Sequence, residues 1–174
     1  MNSIDLFYAS FSIDSKENID NMKTLTPNIN IRKATLPDLD AVMAIEKESF
    51  GSDTFGERQM RYLMKSPTSL FYIAESKNML AGYVILLIRK NSHQMRIYSI
   101  AVSSLLRGKG VGQHLIDFAL KTAANRSKSS LKLEVRTTNS GAIQLYERNK
   151  FTSVKIIPDY YHDGCDALVM KRKL

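Results

Sequence analysis

The sequence predicts one α/β (α+β) domain: a central, mostly antiparallel mixed sheet flanked by helices. Three observations lead there. Three strand-like segments, Leu70 to Ala74, Leu80 to Arg89 and Gln94 to Val102, follow one another with only short turns between them, which predicts an antiparallel meander. A strand, a helix and a strand then run from Ile97 to Val135, and a crossover of that kind places its two strands parallel. Two last strand segments flank Asp163–Gly164, a hairpin signal.

The elements follow in order. Ile29 to Ala34 alternates like a short strand. Thr35 and Asp38, with Pro37 between them, form a helix N-cap signature. Leu36, Leu39, Val42, Met43 and Phe50 then give one apolar face. A second helix is expected from near Thr54, with Glu57 completing a second capping box. Ser76 to Asn78 and Lys90 to Ser92 supply the meander's turns. From about Gly110, Val111, Leu115, Phe118, Ala119 and Thr122 fall on one helical side. Leu131, Leu133 and Val135 share one face of the next strand. A helix from about Ser140 to Arg148 and strands at Phe151 to Ile157 and Ala167 to Lys173 complete the chain.

Composition bounds the functions. The chain has 174 residues and 44% apolar residues, which suits a single domain with a real core. Residues 1–28 are rich in Ser, Asn and Asp and read as an extension, disordered or docked through Phe7, Tyr8, Phe11 and Ile13. Residues 29–174 form the domain. No apolar run is long enough to span a bilayer, and the longest, Ala81 to Ile88, suits a buried strand. The N terminus has no basic start followed by an apolar stretch, so no signal peptide is expected. Cys165 is the only cysteine, which excludes an internal disulfide and a zinc cluster of cysteines. A reducing cytoplasm is the expected compartment. The net charge is +8. Its positive residues are scattered and no nucleic-acid motif appears, so nucleic acid is an unlikely partner. An anionic cofactor, an acidic protein and a plain solvated surface all remain open.

The most informative segment is RGKGVG, Arg107 to Gly112, between a strand and a helix. Glycines allow a tight turn and close approach to a ligand. The first N–H groups of the helix that follows lack internal partners and suit phosphate oxygens. Arg107 and Lys109 add charge. Two phosphate motifs fail at Gln113, where a Walker A loop begun at Gly108 would need its second glycine and the dinucleotide fingerprint its third. Arg-x-x-Gly-x-Gly fits, with Arg107, Gly110 and Gly112.

That pattern resembles the pyrophosphate loop of the Gcn5-related N-acetyltransferases. The upstream strand YSIAV and the downstream LEVRTTNSGAIQLYERNKF, Leu133 to Phe151, resemble the same family at the right separation. The similarity is nearest to the bacterial ribosomal-protein alanine N-acetyltransferases and covers most of residues 29–174. It implies acetyl-coenzyme A as co-substrate, no metal, and an amine acceptor. It also implies coenzyme contacts from Ile100, Ala101 and Val102, from the turn spanning Arg107, Gly108, Lys109, Gly110, Val111, Gly112 and Gln113, and from Asn139. Asn139 equally suits simple helix capping.

Acetyl transfer needs an unprotonated amine, and free amines are largely protonated at neutral pH. A base must take a proton. Glu134 lies on the strand face opposite Leu133 and Val135 and matches the family's catalytic glutamate. Read alone, it is one of an exposed Lys132–Glu134–Arg136 face. Tyr146 matches the tyrosine proposed as acid toward the departing thiolate, and also shares a helical face with Ala142 and Leu145. Tyr160 and Tyr161 resemble tyrosines lining the acceptor cleft, or are surface aromatics. His162 is an alternative base on a loop. Cys165 reads as a packing residue.

One departure bears on the acceptor. The ribosomal-protein enzymes usually carry a proline–tryptophan element where this chain has FGSDTF, Phe50 to Phe55, and the chain has no tryptophan. The resemblance implies direct attack of the amine in a ternary complex. The preferred acceptor is a protein N-terminal α-amine; the alternatives are a lysine side chain, a small amine, or a non-catalytic coenzyme-binding module. No membrane partner is expected, and an oligomer is possible.

Overall fold

The computed structural model describes residues 28–174. The expected extension therefore lies almost wholly outside the described residues. Seven strands form one sheet: β1 (Asn30–Lys33), β2 (Ser69–Ser76), β3 (Met79–Ile88), β4 (Gln94–Val102), β5 (Ser130–Arg136), β6 (Thr152–Ile157) and β7 (Ala167–Lys173). Their order is β1-β2-β3-β4-β5-β7-β6. Every neighbouring pair is antiparallel except β4 and β5, as the strand–helix–strand unit predicts.

Four helices cover the sheet. α1 (Leu39–Phe50) and α2 (Glu57–Lys65) pack on one face, where Val42, Ile45, Met60 and Leu63 meet Phe71, Ile73, Tyr83 and Ile85. α3 (Val111–Asn125) and α4 (Ser140–Arg148) pack on the other, where Leu115, Ile116 and Ala119 meet Val84, Leu86, Ile97, Leu131 and Leu133. The period-two alternation of the central strands makes this possible, since successive side chains feed opposite cores. Among the described residues, β5, β7 and β6 have no helix on the α1–α2 side.

Three local expectations need correction. The Thr35–Asp38 capping box forms, but it opens a 3-10 turn, Leu36–Asp38, that leads into α1. Thr54 does not cap the second helix. Its hydroxyl donates to the Gly51 carbonyl at 2.6 Å, closing a 3-10 turn over Gly51–Asp53, and α2 starts after Gly56. A local hydroxyl-to-carbonyl bond has outcompeted the cap. Likewise β6 and β7 pair as a hairpin, but residues 158–166 separate them, and Asp163–Gly164 sits inside that longer loop. There Gly164, at φ +79°, donates its N–H to the Tyr161 carbonyl.

One irregularity shapes the site. Ser99 pairs with Ile85, but Ile97 pairs with Leu86, so Tyr98 is an extra residue bulged out of β4. Bulges bend a strand. β4 pairs with β5 only from Gln94 to Arg96, opposite Ser130 to Lys132. Beyond the bulge the two strands part and leave a wedge.

Candidate active site

The wedge is the floor of a cleft of about 570 Å³. Ile97 to Ile100 of β4 line one side and Leu133 to Arg136 of β5 the other. Tyr146 of α4 and the loop after α1, Phe50 to Asp53, add walls, and Tyr160 to Asp163 form the rim.

Backbone geometry supplies the first binding groups. The Ser103 N–H donates to the Ala81 carbonyl of β3. In an antiparallel ladder alternate residues bond the same neighbour, so the peptide groups of Ile100 and Val102 point the other way, into the wedge. Ala101 instead directs its side chain into the α1–α2 core. At the mouth, Gly110 caps α3 at φ +84°, and Gly108 has φ +75°. No side chain caps α3, and the N–H groups of Val111, Gly112 and Gln113 have no partner among the described residues. This helix end suits anionic oxygens. Gly112 has a different reason to be glycine: a Cβ there would lie 3.2 Å from the Leu145 Cδ2 of α4. Arg107 ties the turn down, donating to the Val102 carbonyl at 3.2 Å and to Ser49 Oγ at 3.3 Å. Lys109 is exposed. Gln113 joins α3 to the end of α4 through Asn149, with two bonds of 2.8 and 2.9 Å. These residues fit a pyrophosphate at the turn and an extended amide-bearing arm along β4.

Glu134 is not part of an exposed face. Its side chain is 7% exposed. One oxygen accepts from Arg96 Nε at 2.7 Å and the other meets Lys132 Nζ at 2.9 Å. Arg96 also donates to the Tyr160 hydroxyl at 3.1 Å. Tyr146 is the one buried residue of α4. It packs on Phe151 with ring centroids 5.8 Å apart, and burial pushes its phenol up from the ordinary tyrosine value. Glu134 and Tyr146 thus line one cleft from different elements. Asn139 caps α4, accepting from the Ala142 N–H at 3.1 Å, and its side of the cleft is the same.

Several cleft residues carried no sequence signal. Arg136 of β5 binds Asp163 at 2.9 Å and also Asp53, and lies 4.1 Å from the Tyr161 ring centroid. Asp53 also accepts from the His162 N–H at 3.1 Å and faces its Nδ1 at 2.9 Å. Burial opposes ionisation of Asp53, but His162 and Arg136 hold it below the ordinary carboxylate value. This cluster clamps the loop after α1 to the β6–β7 loop. His162 belongs to the clamp, with its side chain 81% exposed, and not to the cleft's interior. Tyr160 and Tyr161 meet edge to face at 5.1 Å. Burial, then Tyr160, pushes Tyr161 up to about 12. Cys165 contacts Thr137 and Thr138 behind the rim.

Glu46 is the other missed residue. It is fully buried on α1. It accepts from the Phe55 N–H at 2.8 Å and from the Tyr83 hydroxyl, which also meets Ser99 Oγ at 3.0 Å. Burial raises its carboxyl above the ordinary value. Holding the Phe55 backbone fixes the loop that walls the cleft, and Phe55 stacks on the bulged Tyr98 at 5.0 Å.

The model of the acetyltransferase (GNAT) family matches residues 39–151. The chain belongs to the GNAT acetyltransferase family. An N-alpha-acetyltransferase of Sulfolobus acidocaldarius is 33% identical over 162 residues, spanning 84% of this chain and 94% of that protein. The crystal structure of the ribosomal-protein-S18-alanine N-acetyltransferase from Escherichia coli matches with a TM-score of 0.75 at 25% identity, over 83% of this chain and 93% of that one. Ard1 from Thermoplasma volcanium matches with a TM-score of 0.77 at 25% identity, over 84% and 97%. The chain is an acetyl-coenzyme A-dependent N-acetyltransferase. Among the described residues no helix is long and apolar enough to cross a membrane.

Proposed function

We propose that this GNAT enzyme acetylates the α-amine of protein N termini, by direct attack of the amine in a ternary complex. The carrying observation is that Glu134 and Tyr146 line the same cleft at the point where β4 and β5 part. Acetyl-coenzyme A supplies an activated acyl group there. The N–H groups opening α3 bind its phosphates, with Arg107 and Lys109 adding charge. The wedge-facing peptide groups of Ile100 and Val102 hold the extended arm, and the Val102 N–H lies on the edge where a thioester carbonyl gains charge. Glu134 takes a proton from the amine, directly or through water. Tyr146 gives a proton to the departing thiolate. A phenol kept protonated by burial suits an acid. Tyr160 and Tyr161 flank the acceptor, and Asn139 caps α4 beside the coenzyme.

The α-amine reading rests on the relatives, among them an N-alpha-acetyltransferase and a ribosomal-protein-alanine N-acetyltransferase. The test is a pH–rate profile of thiol release with a peptide acceptor. Glu134→Gln should lower the rate about 10²–10⁴-fold, most strongly at lower pH where the amine is protonated. Tyr146→Phe should lower turnover while coenzyme affinity changes little. Near-normal turnover in both variants would remove both roles.

A further inference from the structure

A second, smaller cavity of about 130 Å³ lies beside the active-site cleft, lined by Leu87, Arg89, Ser92, Gln94, Arg96 and Lys132. Its three charged residues are all cations. Arg96 lines both cavities and holds Glu134. Arg89 and Lys171 have no carboxylate within ion-pair distance among the described residues. Arg96, Lys132 and Lys171 stand directly opposite one another on β4, β5 and β7. Like charges directly opposite in a sheet are destabilising, and among the described residues Glu134 is the only acid that pairs with this row. No helix of the described residues covers it. The arrangement is that of a surface built to receive an anion.

The path of the acceptor selects which anion. On the Arg136 side of Glu134 the cleft is closed by the clamp of Asp53, Arg136, His162 and Asp163. On the Lys132 side the described residues make a single bond across the cleft, from Arg96 to the Tyr160 hydroxyl at 3.1 Å, and no ion pair. Lys132 lies two residues before Glu134 on the same face, about 7 Å away along the strand, and Arg89, just after β3, is about one such step further along and two strands across. An extended peptide advances about 3.3 Å per residue. We propose that the small cavity is a subsite for an acidic side chain of the acceptor protein, about two to four residues after its N terminus. This rests on the α-amine reading above and gives it a substrate class: N termini followed by Asp or Glu. Arg89 offers a guanidinium with no ion-pair partner among the described residues, Arg96 and Lys132 offer the N–H groups that Glu134 and Tyr160 leave unused, and Ser92 and Gln94 add neutral polar contacts. Exposed aromatic rings, on which unpaired bases would stack, do not line this cavity.

Three peptides sharing their first two residues, with Glu, Gln or Lys at positions three to five, test the idea by thiol release. The Glu peptide should exceed the Gln peptide about fivefold in kcat/KM, mainly through KM, as two partly exposed ion pairs would give. The advantage should shrink with added salt. Arg89→Glu should abolish or invert the Glu-to-Gln ratio, and Arg89→Gln should reduce it. Fluorescence anisotropy of the same peptides on the coenzyme A-bound protein gives the comparison without turnover. Equal values for all three peptides would overturn the subsite alone. Reaction of a small amine with no peptide reacting would overturn the α-amine reading and the subsite together. If a single-stranded RNA binds in an Arg89-dependent way while the peptides react alike, the face serves nucleic acid and the proposal fails.

Discussion

Glu46 and Glu134 are both buried carboxylates lining one cleft, but their surroundings differ in kind. Glu46 sits under α1 against the Tyr83 hydroxyl and the Phe55 N–H, with no cation in contact. Burial therefore dominates, and its carboxyl is raised. Glu134 lies on the open half of the sheet, held from both sides by Arg96 and Lys132. The contrast shows that burial alone does not make a carboxylate chemical. Glu46 spends its hydrogen bonds on protein groups and sets the shape of the cleft. Glu134 is fixed in direction, yet it faces the space where two strands have separated.

The sharpest way to break the comparison is to swap the losses. Glu134→Gln is expected to cost at least ~10²-fold in turnover with little change in melting temperature. Glu46→Gln, which keeps the shape, should cost less than ~10-fold. Comparable rates for the two variants would erase the distinction. A smaller effect concerns stability. Glu46→Ala leaves the Phe55 N–H and the Tyr83 hydroxyl without their acceptor, a loss of about 1–3 kcal/mol, measurable by urea unfolding. An unchanged midpoint would mean that water replaces the carboxylate.

The smallest effect is in pH dependence. A carboxyl whose folded pKa lies above its unfolded value keeps its proton longer in the folded state. Its contribution to stability is full below the ordinary value of 4.5 and is lost as pH rises through the folded value. Glu46→Gln should therefore flatten the decline of the melting temperature above about pH 4.5. Asp38 gives the opposite sign as an internal control. Its bonds to Arg32 hold it at about 2 against an ordinary 3.8, so its contribution is present above 3.8 and fades as pH falls toward 2.

Much of this arrangement was legible in the residues. Strand alternation is a local signal, so the meander from β2 to β4 and the crossover to β5 were readable with small shifts of boundary. The glycine turn was readable because positive φ at Gly108 and Gly110 is a local demand. Glu134, Tyr146 and Asn139 were found through the family resemblance. The Thr54 cap was misplaced because two local bonds competed for one hydroxyl, and sequence does not rank them. Glu46 and Arg96 belong to no sequence motif, and Arg136 reads in the sequence only as one of a polar strand face.

The sequence by itself determined the order of elements and the glycine turn, since each depends on neighbours within a few residues, and the family resemblance in it named the candidate reacting groups. Tertiary structure alone decided what those groups meet. The Tyr98 bulge bends β4 away from β5, and this opens the wedge. The clamp joins Arg136 to Asp53 and Asp163 across 83 and 27 residues of chain. The row of Arg96, Lys132 and Lys171 exists only because three distant strands settle in one register. Register is set by how both faces of the sheet bury their apolar sets, and that is a property of the whole packed domain.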